Sequence, residues 1–285
     1  MRKRYPAQAG YFYPRSREEL LEALRRAFLH ELGPGELPPV PPDYTGRVIG
    51  AVVPHAGYIY SGHVAAHAYL RLAKAGKPEV VVILGPNHHG IGAPVAIDEN
   101  EVWLTPLGEV QVDIEVAKLL ASREELIRFD FSAHLYEHSI EVQVPFLQFV
   151  FGNDVRIVPI SMLRQDFRGA LRVASAIAET ISEQGLKAYV LASSDMSHYV
   201  PADVARRKDF IALKKVQELD AQGFYDAVIE EDISICGYGP VMVLVGVARE
   251  LGYTRVELLK YADSGDVTGD KSEVVAYASL SFEKP

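Results

Sequence analysis

Short blocks of apolar, largely β-branched residues punctuate the chain, and several of them stop abruptly at a proline or glycine followed by polar groups. Val48, Ile49, Ala51, Val52 and Val53 form the first block, and Glu79–Leu84 and Leu186–Ala192 share the same pattern, while Val155–Ile160 reads as a further strand. Runs without polar alternation read as strands buried on both faces, as in a parallel sheet. Between them the apolar spacing changes to three and four. Leu20, Leu24, Ala27 and Phe28 predict a helix behind a Ser16 cap with acidic Glu18 and Glu19 in its first turn. Val64, Ala65, Ala68, Tyr69 and Leu72 predict a second, capped by Ser61 or Gly62 and ending by Gly76.

Further helices are predicted over about 113–121, 167–181, 202–219, 223–230 and 241–251, the last with Pro240 in its first turn. Residues 94–97 and 109–112 read as short strands with a turn over Trp103–Gly108, while 255–261 and 274–282 alternate well enough to close a sheet. Residues 138–149 have helical character, with Ile140, Val144 and Leu147 on one face and Pro145 limiting its length. Tyr5–Pro14 lacks either period and reads as an extended arm. Residues 33–46 carry five prolines and form a stiff connector. No other composition shift divides the chain, so the expectation is a single α/β domain over residues 1–285, with a mostly parallel or mixed central sheet flanked by helices.

Composition narrows the function classes. Hydrophobic residues make up 48% and charged residues 24% of 285, ordinary globular values. A formal net charge of −9 disfavours general nucleic-acid backbone binding. No apolar run is long enough to span a bilayer and the N-terminus lacks a signal-peptide core, so a cytoplasmic protein without membrane contact is expected. The lone cysteine, Cys236, has no disulfide partner within the chain. It is an inert small residue or a ligating or reactive thiol.

The chemistry gathers where predicted strands end. His55 follows the first block in Pro54-His55-Ala56-Gly57, His88 and His89 follow the second, and Asp195 and His198 follow the third. A doubly wound sheet brings its strand C-termini to one rim, where ligands bind. Imidazole and thiolate suit Zn²⁺, Fe²⁺ or copper, and Asp195 can ligate or orient. Each histidine taken alone can equally cap a helix or donate to a carbonyl. Asp195 and His198, three apart, share a face if a helical turn begins there, which suits a carboxylate orienting an acid/base imidazole; Asp195 can also simply cap the next helix. Cys236 sits just before a predicted helix start, a position that lowers a thiol's pKa.

His138 and Glu141 share a helical face and read as a solvated or structural pair or, less favoured, as supports behind the site, His63 and His67 read as helix surface, and His30 and His134 carry no assigned role. Tyr58, Tyr60 and Trp103 read as core packing or pocket wall. No GxGxxG, Walker A, GxSxG or HExxH signature is present, which disfavours nucleotide-dependent chemistry and the common hydrolase mechanisms.

At these residues the sequence resembles the Memo family. The matching stretches are PHAGYIYSG at 54–62, LGPNHHG at 84–90, EHSIEVQVPFLQ at 137–148, SSDMSHY at 193–199 and ICGYGP at 235–240. The family's fold is similar to that of the class III, non-haem iron extradiol dioxygenases, a three-layer α/β architecture in which two histidines and a glutamate hold Fe²⁺. The resemblance implies that His55 and His88, rather than His89, are imidazole ligands and that Cys236 stands where those enzymes have their carboxylate. It places Asp195 and His198 beside the metal, with His198 as the acid/base group. The implied cofactor is Fe²⁺, with copper or zinc as alternatives. Three readings result: a dioxygenase-like oxidoreductase acting on a small molecule, a non-catalytic adaptor holding a peptide or anion in the same cleft, and a metal-independent hydrolase built on Cys236 and His198. A homo-oligomer is compatible with each.

Overall fold

In the computed structural model, which describes residues 1–285, the arm contributes β1 (Lys3–Arg4) and leads into α1 (Arg17–Leu29). Ser16 caps α1 by accepting from the Glu19 N–H. The chain continues through β2 (Val48–Val53), α2 (Tyr58–Ala75), β3 (Val80–Pro86), β4 (Val95–Ile97), β5 (Val102–Thr105), β6 (Gly108–Gln111), α3 (Ile114–Arg123) and β7 (Ile127–Phe129). After a 3₁₀ turn at Glu141–Gln143 come α4 (Val144–Phe151), β8 (Arg156–Met162), α5 (Phe167–Gln184), β9 (Ala188–Ser193), β10 (His198–Val200), α6 (Ala202–Gln217) and α7 (Ala221–Glu230). The last elements are α8 (Tyr238–Leu251), β11 (Arg255–Asp263), the single turn α9 (Gly265–Thr268) and β12 (Val274–Glu283).

Nine strands form one sheet in the order β10-β12-β2-β9-β3-β8-β4-β7, with β11 paired to β12. The central four, β2, β9, β3 and β8, are mutually parallel; β12 and β4 join them antiparallel. The apolar blocks seen in the sequence are this parallel core. Successive side chains of a strand face opposite sides, and here both sides are covered. Ile49, Val52, Val80, Val82 and Leu84 pack on one face with α3, α5, α6, α7 and α8. Val48, Ala51, Val53, Val81 and Ile83 pack on the other with α1, α2 and α4. The mixed three-layer α/β architecture is therefore as expected.

The departures are local. Trp103 lies in β5 of a β5–β6 hairpin rather than in a turn, because a small second sheet, β1-β5-β6, takes the arm's Lys3 and Arg4 as a parallel edge. Its ring is core: it is buried, its Nε1–H donates to Asp98 at 2.7 Å, and the Arg4 guanidinium lies over it. Helix α2 begins at Tyr58, a turn earlier than either polar cap predicts, with Gly57 as N-cap. Residues 138–140 are not helical; Pro145 sits in the first turn of α4, where a missing N–H costs nothing. His63 is buried, not helix surface, and stacks on His30, while His67 donates through Nε2 to the Leu32 carbonyl at 2.9 Å.

Candidate metal centre

Because β9 lies between β2 and β3, the segments leaving these three parallel strands emerge side by side. His55 comes from the first, His88 from the third, Asp195 from the middle one, and Cys236 arrives on the loop before α8. Two glycines permit the close approach. A Cβ at Gly237 would lie 2.4 Å from the Ser193 carbonyl oxygen, and one at Gly85 would lie 2.4 Å from Ser139 Oγ. The Cys236 loop is further pinned by Gln165, whose Nε2 donates to the Cys236 carbonyl at 3.0 Å while its Oε1 accepts from Gly239 N–H at 2.8 Å.

One ligand atom each from His55, His88 and Cys236 falls within 4.8 Å of the others. His55 Nε2 is 3.2 Å from Cys236 Sγ, and its ring meets that of His88 edge-on at 5.3 Å. Each histidine is held from behind. His55 Nδ1 lies 2.9 Å from Ser193 Oγ, and His88 Nδ1 lies 2.8 Å from Glu137 Oε1. Asp195 Oδ1 accepts the His55 backbone N–H at 2.8 Å, its Oδ2 lies 3.9 Å from His55 Nε2, and its own N–H points at Cys236 Sγ at 3.3 Å. His198 Nδ1 donates to the Ser234 carbonyl at 2.7 Å, since a carbonyl can only accept, which leaves Nε2 as the nitrogen available to a ligand.

A second trio, His88, Glu137 and His138, is as compact. Its carboxylate is already saturated. Glu137 Oε1 accepts from His88 Nδ1, His138 N–H and Ser139 N–H, and Oε2 accepts from His88 N–H. Glu137 therefore orients His88, the usual companion of a ligating imidazole, and is not itself free to ligate.

Charge is regulated by crowding and burial. Desolvation, reinforced by His138 and His88, holds His55 well below the ordinary imidazole value. Burial lowers His138 to about 4, against the pull of Glu137. Burial raises Asp195 to about 6 despite the N–H groups of His55 and Ala56 that favour its charge. Burial opposes the charge on Glu137 too, yet the His88 hydrogen bond and the neighbouring imidazoles hold it below the usual carboxylate range. Cys236 is the correction here. Its position before α8 predicts a lowered pKa, but burial, with Asp195 adding to it, pushes the thiol up. A free thiolate nucleophile is thus disfavoured without a cation beside it, and the imidazole that meets Sγ is His55.

His89 turns away, its Nε2 reaching the Tyr136 carbonyl at 3.1 Å. Asp195 and His198 do not share a helical turn: His198 opens β10, and α6 starts only at Ala202 behind Pro201. The pair of His138 and Glu141 separates. His138 stacks on His88 at 4.4 Å between centroids and on Phe12 of the arm at the same distance, whereas Glu141 faces the arm. Glu137, Ser139, Gln143 and Ser193 belong to the site although the sequence assigns them no role beyond lying in the stretches 137–148 and 193–199. Their one signal is the polar residues at alternate positions 137, 139, 141 and 143 in an apolar stretch, all four of them buried. A groove of about 870 Å³ runs between the arm, α1 and the start of α2, lined by Tyr11, Phe12, Tyr58 and Tyr60 and by none of the three candidate ligands.

Residues 4–281 match the family model described as Memo-like protein. The chain belongs to the Memo family. A MEMO1 family protein of Pyrobaculum aerophilum is 53% identical over 282 residues, 99% of each chain. Its counterparts in Pyrobaculum arsenaticum and Ignicoccus hospitalis are 49% and 48% identical, covering 100% and 99% of each chain. Among solved structures, an uncharacterized protein from Escherichia coli K12 shares the fold with a TM-score of 0.51 at 12% identity, over 83% of this chain and 100% of its own. In this Memo-family chain the five stretches at 54–62, 84–90, 137–148, 193–199 and 235–240 each send at least one side chain to the cluster: His55, His88, Glu137, Asp195 and Cys236. No helix is long and apolar enough to cross a membrane.

Proposed function

We propose that this protein binds one transition-metal ion through His55, His88 and Cys236 and is a redox enzyme acting on a small molecule. The observation that carries the reading is the tied-back His88. An ionised carboxylate can only accept, so His88 Nδ1 carries a proton and Nε2 is the nitrogen left to ligate, in a cluster with His55 and Cys236. Two imidazoles and a thiolate form a borderline-soft donor set that suits iron, copper or zinc, and Fe²⁺ is the ion the dioxygenase-like resemblance favours. A divalent cation would also stabilise the thiolate that burial disfavours. When bound, the metal would supply Lewis acidity and, for iron or copper, electron transfer.

The chain's own part is proton handling. Asp195, raised to about 6, can exchange a proton with a small molecule near neutral pH, and His198 offers Nε2 as a hydrogen-bonding group. No lysine or arginine pairs with any of these five residues, so the cluster has no fixed positive charge with which to hold a phosphorylated peptide.

Elemental analysis of anaerobically purified protein tests the proposal. Near-stoichiometric metal is expected, falling sharply in His55→Ala and in Cys236→Ala. Full retention in both variants overturns it. Asp195→Asn and His198→Gln are expected to keep the metal.

A further inference from the structure

A single hydroxyl proton decides which nitrogen of His55 carries hydrogen, and so whether the Nε2 that faces Cys236 is a lone pair. Three polar groups converge on Ser193 Oγ and two more on its partner Gln143, all buried. Gln143 Nε2 lies 2.9 Å from the Pro54 carbonyl and 2.9 Å from Ser193 Oγ, and Gln143 Oε1 lies 2.7 Å from the Tyr69 hydroxyl. The Pro54 carbonyl can only accept, which fixes the amide with its NH₂ toward Pro54 and Ser193. Ser193 therefore receives one proton from Gln143.

Ser193 has one proton to give and two neighbours that could take it: the Ser139 carbonyl at 2.6 Å and His55 Nδ1 at 2.9 Å. The Ser139 carbonyl has no other hydrogen-bond donor and belongs to a residue with no exposed surface. Were the proton turned to His55, that buried carbonyl would be orphaned and would face an oxygen lone pair at 2.6 Å. The proton accordingly goes to Ser139, and the remaining lone pair of Ser193 must accept from His55. His55 is then protonated on Nδ1, and its Nε2 lone pair faces Sγ at 3.2 Å.

We propose that Ser193 is a positioning residue that holds His55 as the Nδ1–H tautomer, so that Nε2 is presented as a ligand, and that the Ser139 carbonyl is what commits the Ser193 proton. Gln143 braces the hydroxyl without choosing the tautomer. The value of the tautomer to a metal rests on the function proposed above, but the tautomer itself exists in metal-free protein and is read there.

The test is two-bond ¹H–¹⁵N correlation on ¹⁵N-histidine-labelled, metal-free protein, with the His55 signals identified by their loss in His55→Gln. Wild type, Ser193→Thr and Gln143→Met should all show His55 protonated on Nδ1. Ser193→Ala should move proton density to Nε2. Gln143→Met breaks the same buried network and so separates loss of packing from loss of the tautomer. Co²⁺ titration of the same proteins should show affinity reduced about 10–100-fold in Ser193→Ala, as for other groups behind a ligating histidine, with Ser193→Thr near wild type. An Nε2–H wild type, or an unchanged tautomer in Ser193→Ala, overturns the proposal. Tautomers that behave as stated in a protein that binds no Co²⁺ uphold it and count against the metal function instead.

Discussion

Glu137 and His88 are joined twice: one carboxylate oxygen accepts the ring Nδ1–H at 2.8 Å and the other accepts the His88 backbone N–H at 2.7 Å. The same carboxylate holds the N–H groups of His138 and Ser139, so one side chain fixes both the loop after β3 and the segment packed across it. Glu137→Gln turns an NH₂ toward groups that all donate. Metal affinity is expected to fall about 10–100-fold and stability by roughly 2 kcal/mol, the scale of a hydrogen bond to a charged group. Isothermal titration with Zn²⁺ and urea unfolding check the two effects separately. Unchanged affinity would remove Glu137 from the site.

In the proposed donor set, Cys236 stands where a two-histidine, one-carboxylate set has its oxygen donor. Cys236→Asp restores a hard oxygen donor in a comparable position. Binding of Zn²⁺ and Cu⁺, which favour thiolate, is expected to weaken more than binding of Fe²⁺. Competition titrations under anaerobic conditions give the ratio. A uniform loss for all three ions would mean that Sγ is not a ligand.

The N-terminal arm hangs on one buried carboxylate. Glu141 pairs with Arg4 at 2.7 Å and accepts from the Ala7 and Gln8 N–H groups and the Tyr13 hydroxyl. Arg4 in turn donates to the His134 and Glu137 carbonyls. Removing one partner of a buried pair costs about 3–5 kcal/mol, whereas replacing both with apolar residues recovers much of the loss. Arg4→Met should destabilise the protein on that scale and raise amide exchange over residues 3–13. Arg4→Met combined with Glu141→Leu should be less destabilised than additivity predicts. Because Phe12 rides on this arm and stacks on His138, the exchange change should extend to His138.

His63 is expected to give the folded protein an acid-side slope. Burial, with His30 stacked at 4.7 Å and Lys260 and His67 nearby, lowers it to about 4, while Asp266 pulls the other way. In the unfolded chain it takes up a proton near pH 6.5, roughly the unperturbed value. The unfolded state thus binds more protons between these values. The stabilising effect is complete above about pH 6.5 and is lost as pH falls toward 4, at up to about 1 kcal/mol per pH unit. Urea midpoints at pH 7 and pH 5 should converge in His63→Leu relative to wild type. An equal pH dependence in both proteins would show that His63 is not the group responsible.

Local sequence was enough for much of the parallel core, since three largely apolar blocks are best satisfied between two layers of helices, and for the Ser16 cap and a helix opening at Asp113, which act within three residues. It was enough, too, to put His55 and His88 beyond strand ends, because proline or glycine there turns the next few residues out of the sheet, whereas Cys236 was joined to them only by the family resemblance.

Tertiary structure decided which of these groups meet and in what state. The strand order, with β9 between β2 and β3, is set by contacts between residues more than 100 positions apart, and no local pattern encodes it. The same holds for Glu137 behind His88, Ser193 behind His55, and Glu141 beneath the arm: each is a polar side chain whose partner is distant in sequence, so its burial reads locally as a break in a helix pattern. Cys236 is the clearest case. Position before a helix argues for a low pKa, and burial against His55 and Asp195 reverses it, because desolvation is a property of the packed neighbourhood and not of the neighbouring residues in the chain.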